Sequence, residues 1–144
     1  MTGTRDWRDG VRVVRASVLA ASLNGPFGSG RATALEFAGL AGSQTWVGLV
    51  TMPPGADTGP HSHGRHEVAI YAIRGAGRIL WGERLEFAAD VQTGDFVYFA
   101  PFAPHTEVNL DPAAALDFLV VRSDGERIVL PFETQPVAQP EFIT

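Results

Sequence analysis

Short runs of β-branched and aromatic residues, each closed by glycine, proline or aspartate, leave this chain few options besides antiparallel β-structure. Strands are expected near Val11–Val14, Thr33–Phe37, Thr45–Met52, Glu67–Ile73, Gly77–Trp81, Leu85–Ala89, Asp95–Phe99, Thr106–Asn109, Leu116–Arg122 and Arg127–Leu130. Turns follow from Pro53-Pro54-Gly55, Gly75-Ala76-Gly77, Gly82-Glu83, Thr93-Gly94-Asp95 and Asp124-Gly125, where glycine supplies positive φ and proline fixes the entry angle. No segment carries a helical period. A double-sheet jelly roll satisfies this strand count, limits exposed strand edges and leaves room for a small-molecule cavity.

The chain has 144 residues, enough for one domain that buries roughly 70% of its unfolded surface. Three parts are expected: an N-terminal strand or arm over 1–32, a barrel over 33–133, and a tail over 134–144 that is mobile or docked across a neighbour. The net charge is −5, from 16 acids and 11 scattered bases, which argues against binding nucleic acid through phosphate neutralisation. Every base is arginine, so Schiff-base chemistry by a lysine is excluded. Cysteine is absent, which removes disulfides, thiolate ligands and a cysteine nucleophile. The apolar stretch Ala16–Leu23 is too short and too interrupted by nearby charges for a signal peptide. No run reaches the roughly 18 apolar residues of a membrane span, and the expected location is cytoplasmic.

Chemistry concentrates in Gly55-Ala-Asp-Thr-Gly-Pro-His61-Ser-His63-Gly-Arg-His66-Glu67 and around His105. Residues two apart on a strand share a face. With extended backbone from His61 to Tyr71, the side chains of His61, His63 and Glu67 point one way and His66 the other. His105 supplies a third imidazole. Three imidazoles and a carboxylate suit iron, manganese, nickel, copper or zinc far better than calcium or magnesium. His66 is the substitute ligand if Glu67 does not serve. Strand parity also puts Tyr71 and Glu107 on the metal side, as candidates for acid/base or supporting roles. Trp46, Trp81, Phe102 and Phe118 are candidates to line a substrate pocket, although core packing accounts for most aromatic residues without a ligand.

Around the histidines the chain resembles the cupin superfamily, over about residues 45 to 122. Gly55, His61, His63, Glu67 and Gly75 fill the first cupin motif, with seven residues in place of six before the last glycine. Gly94, His105 and Asn109 fill the second, with Ala100 where proline is usual and Phe102 where glycine is usual. The resemblance implies a cupin-type double-stranded β-helix (a jelly-roll barrel), a metal held by His61, His63, Glu67 and His105, and a homodimer formed through the N-terminal strand. It implies little about the reaction, because cupins host many chemistries. The leading expectation is a mononuclear metal enzyme acting on a small organic molecule, leaning to oxygen-dependent, dioxygenase-like oxidation. A Lewis-acid isomerase, lyase or rearrangement enzyme, a non-catalytic metal or metabolite binder, and a metal-free barrel stay open.

Overall fold

A computed structural model of the chain describes residues 8, 11, 13, 15, 20–22, 33–36, 45–123 and 128–143. Its strands are β1 (Ala20–Ser22), β2 (Thr33–Glu36), β3 (Thr45–Met52), β4 (His61–Ser62), β5 (Val68–Arg74) and β6 (Ala76–Trp81) in the first half. Then come β7 (Phe87–Gln92), β8 (Phe96–Phe99), β9 (His105–Asn109), β10 (Leu116–Ser123), β11 (Leu130–Pro131) and β12 (Glu141–Phe142). Among the described residues there is no helix, and none that is long and apolar enough to cross a membrane. The expected strand at Val11–Val14 lies largely outside the described residues, as do Arg127 and most of the N-terminal arm.

The strands form two six-stranded sheets, ordered β1-β2-β3-β10-β5-β8 and β11-β4-β9-β6-β7-β12. All pairings are antiparallel except that of β12 with β7. This is the double-stranded β-helix. The order follows from the turns: β6 and β7 form a hairpin across Gly82, which has φ 103° and so favours glycine.

Period-two alternation is clearest on β10, where Leu116, Phe118 and Val120 are buried and the residues between them are less so. Trp46, Val50 and Met52 on β3 and Val68, Ile70 and Ala72 on β5 meet them. Ile79, Val91 and Phe99 complete the core from β6, β7 and β8. Each large apolar side chain buried this way contributes about 1.5–3 kcal/mol, and the sum holds the two sheets together. Gly77 keeps β6 close to β10: a Cβ there would come within 2.5 Å of Leu116 Cδ2 and 2.7 Å of the Val108 carbonyl oxygen.

The tail differs from expectation. It runs along its own chain, with Val137 N–H donating to Arg84 O, Glu141 N–H to Glu86 O and Ile143 N–H to Ala88 O, at 2.8–2.9 Å. Residues with no periodicity of their own are held because the segment from Arg84 into the free edge of β7 offers them backbone partners.

Candidate metal centre

The centre is built where β4 meets β9. His61 pairs directly with His105 across these strands, and their rings lie 4.4 Å apart. His63 follows at the end of β4, 5.0 Å from the His61 ring and 5.1 Å from that of His105. One ring nitrogen from each histidine lies within 4.8 Å of those of the other two, and all three residues are buried.

Backbone carbonyls decide how these rings are presented. His61 Nδ1 lies 2.8 Å from Gly59 O, His63 Nδ1 3.0 Å from Ile128 O, and His105 Nδ1 2.9 Å from Ala103 O. A carbonyl oxygen only accepts, so each Nδ1 carries the proton and donates it. Each Nε2 then keeps its lone pair, the arrangement that metal-binding imidazoles require. His105 Nε2 is fully buried and has no hydrogen-bond partner, which is costly unless something is bound there. Burial is the main cause that drives the His63 imidazole down to about 3, assisted by repulsion from His61 and His105. Burial likewise lowers His105. Burial thus favours the neutral form of His63 and His105, and three converging imidazoles fit a transition-metal ion.

Glu107, on β9 two residues beyond His105, enters the same space. Its Oε2 lies 3.6 Å from His61 Nε2 and its Oε1 3.6 Å from His105 Nε2. Thr58 Oγ1 donates to Oε2 at 2.9 Å, and the Glu107 N–H donates back to Thr58 Oγ1 at 3.0 Å. Burial alone would raise this carboxyl, but the His61, His105 and His63 imidazoles and the Thr58 hydrogen bond outweigh it, so the net shift is downward.

Glu67 is placed elsewhere. Extended backbone stops at His63, because Gly64 has φ 57° and the His66 N–H turns back to His63 O at 3.1 Å. The turn shifts the parity of the residues that lead into and form β5. Even-numbered residues of β5 face inward, and His66, one turn earlier, is buried at 1% exposure. Glu67 is exposed, and its Oε1 accepts a hydrogen bond from the Tyr98 hydroxyl at 3.0 Å. That bond is the main reason the Tyr98 phenol is raised above its ordinary value. The same shift carries Tyr71 to the outer face, where its ring packs 4.8 Å from that of the exposed Phe96. The structure therefore corrects two expectations: Glu67 and Tyr71 are not on the face that carries the imidazoles.

An open cleft of about 570 Å³ lies at the seam between the sheets, with Ile79, Trp81, Val97, Phe99, Ala103 and Ile143 among its lining residues. It adjoins the centre through Phe99, which stacks on the His105 ring at 4.0 Å, and through Trp81, the cross-strand neighbour of His105. Of the four aromatic residues expected to line a pocket, Trp81 lines this cleft. Trp46 and Phe118 belong to the core, with the Arg122 guanidinium 3.8 Å over the Trp46 ring. Phe102 is 67% exposed at φ 62°, the left-handed conformation that explains why glycine is usual at this position. Phe99, Thr58 and Ile143 were not among the expected site residues. Ile143 is brought in by the docked tail, remote in sequence, whereas Thr58, three residues before His61, enters the site through its contact with Glu107 on β9.

Two largely antiparallel sheets closed into a double-stranded β-helix, with three converging imidazoles that could hold a metal ion, define a β-barrel protein with a candidate metal centre. A family profile described as Cupin domain matches residues 48–122. The chain belongs to the cupin family. Among solved structures, it is similar to the polyketide cyclase RemF from Streptomyces resistomycificus, at 22% identity and a TM-score of 0.70, over 87% of this chain and 88% of that one. It is also similar to a predicted oxalate decarboxylase from Thermotoga maritima (20% identity, TM-score 0.64, 78% and 99% of the two chains). A vicilin from Capsicum annuum shares the fold as well (18% identity, TM-score 0.66), over 78% of this chain and 33% of the vicilin. No curated protein matches the chain by sequence.

Proposed function

We propose that the protein is a mononuclear metal enzyme acting on a small, largely apolar organic molecule. The observation that carries this reading is the convergence of three Nε2 lone pairs from His61, His63 and His105, each fixed by an Nδ1–H donated to a backbone carbonyl. Structural relatives named as a cyclase and an oxalate decarboxylase share the fold with a vicilin, so the fold alone selects no reaction. The imidazoles would hold a divalent ion such as iron, manganese, nickel, copper or zinc, and a bound ion supplies Lewis acidity and, if redox-active, electron transfer to oxygen.

The chain's own residues do the rest. Trp81, Phe99 and Ile79 offer an apolar wall for a substrate and reduce access of water to the side of the centre they cover. Glu107 holds negative charge beside the imidazoles. Oxygen-dependent oxidation is the leading reaction class. A Lewis-acid cyclisation, isomerisation or lyase step is the second reading, favoured by the buried Glu107 carboxylate, which is placed to accept a proton without any redox partner. A cytoplasmic homodimer joined through the N-terminal segment is part of the same proposal.

Elemental analysis of protein purified without added metal tests it. The expected result is about one transition-metal equivalent per chain, lost in His61→Ala and in His105→Ala. An iron, copper or nickel centre that consumes oxygen with substrate would support oxidation, and zinc with turnover under anaerobic conditions the Lewis-acid reading. Absence of metal even after reconstitution would sink both.

A further inference from the structure

A shell of three imidazoles leaves open where the anionic donor comes from, and the first histidine motif does not supply it: Glu67 is exposed and engaged by Tyr98. Glu107 has the geometry that Glu67 lacks. Its two oxygens are divided between two histidines, each 3.6 Å from one Nε2. That separation is too long for a hydrogen bond. It is slightly longer than the donor-to-donor spacing of roughly 3.3–3.4 Å that bonds of about 2.0–2.1 Å impose around a tetrahedral ion, and the carboxylate stands beside the close cluster of three ring nitrogens.

Charge balance points the same way. A carboxylate with a side chain only 10% exposed requires a compensating cation. Among the described residues no arginine pairs with Glu107, and the two histidines beside it have their Nδ1 protons committed to carbonyls. A cation held beside both Nε2 atoms would supply that charge.

The carboxylate is also held for the task. Thr58 Oγ1 donates to Oε2 and accepts from the Glu107 N–H, and the adjacent Thr106 Oγ1 is tied to Asp57 Oδ1 at 2.6 Å. Asp57 Oδ1 in turn accepts from the Gly59 N–H at 2.8 Å, in the same loop whose Gly59 carbonyl orients His61. One loop therefore orients both an imidazole and the carboxylate opposite it.

We propose that Glu107, on the strand that carries His105, is the carboxylate ligand of the metal, taking the place held by the first-motif glutamate in the general cupin pattern. The inference rests on the three-histidine reading above. Cobalt(II) is the probe: its affinity for metal-stripped protein is measured by calorimetry, and its ligand-field absorption reports the donors directly, independently of any activity.

Glu107→Gln keeps the shape and the Thr58 contact while removing the charge; it is expected to weaken cobalt binding at least about tenfold and to shift the visible spectrum. Glu67→Gln is expected to change neither. Glu107→Asp, which keeps the charge on a shorter arm, is expected to retain part of the affinity. Melting curves in chelator show whether each variant is folded. Wild-type affinity and an unchanged spectrum in folded Glu107→Gln and Glu107→Asp would overturn the inference, as would a loss confined to Glu67→Gln. Failure of the wild-type protein to bind cobalt at all would instead remove the three-histidine centre itself.

Discussion

Asn109 is 1% exposed and closes the loop architecture from within. Its Nδ2 donates to Met52 O, Pro53 O and Ala114 O at 2.9–3.2 Å, while Oδ1 accepts from the Asp111 N–H at 3.0 Å. It joins the end of β3 to the turn before β10, and so anchors the far end of the strand that carries His105 and Glu107. Replacing it with alanine strands several backbone groups at about 1–3 kcal/mol for each that stays buried and unpaired. Asn109→Ala is accordingly expected to lose roughly 2–4 kcal/mol in denaturant unfolding, with metal affinity falling only as far as the fold loosens. At the same scale His61, His63 and His105 were identifiable from residue type and spacing alone. Their tautomers were not, because Gly59 O, Ala103 O and above all Ile128 O become acceptors only in the folded chain.

Elements were readable wherever two faces differ in burial. β3 coincides with the expected Thr45–Met52, and β10 differs from expectation by one residue, because both alternate cleanly against the core. β4 and β12 were not foreseen. Each is two residues long and exists because a neighbouring strand offers a free edge, which no local pattern announces. The parity error at Glu67 and Tyr71 has a local cause in the turn at Gly64, whose carbonyl also accepts the Phe102 N–H at 2.6 Å and so links the two histidine loops.

The docked tail belongs to this scale too. Deleting residues 135–144 removes three backbone hydrogen bonds to Arg84, Glu86 and Ala88, the Phe142 ring beneath Arg78 and the Ile143 wall of the cleft. The bonds contribute about 1 kcal/mol each, and ordering the segment offsets part of that. A net loss of roughly 2 kcal/mol is expected by thermal unfolding, together with stronger binding of an apolar dye at the opened seam. An unchanged midpoint would show that the strap contributes nothing to the barrel.

For the molecule as a whole, the buried centre sets the response to acid. His63 falls from 6.5 in the unfolded chain to about 3 in the folded one, chiefly through burial, and His105 shifts in the same direction for the same reason. The unfolded chain therefore binds protons more readily than the folded one as pH drops below 6.5. Stability is fully present above that value and is lost progressively toward pH 3. Glu107, also lowered, adds loss of the same sign below its unfolded value of 4.5. Denaturant unfolding in chelator at pH 8, 6, 5 and 4 is expected to show a decline on the order of a few kcal/mol, and His63→Gln should flatten it. A flat profile in the wild-type protein would mean that the imidazoles are not buried as neutral rings.

Alternating apolar residues, turn glycines and the spacing of His61, His63 and His105 were enough to determine an all-β barrel with a histidine centre, since both rest on local periodicity and residue chemistry. Which carboxylate meets those histidines was decided by tertiary structure. One residue in a left-handed turn reverses the faces of β5, and Glu107 reaches His61 only because β4 and β9 pair across more than forty residues of chain. Donor sets and cavity walls are assembled from segments remote in sequence, and their positions depend on how the two sheets close.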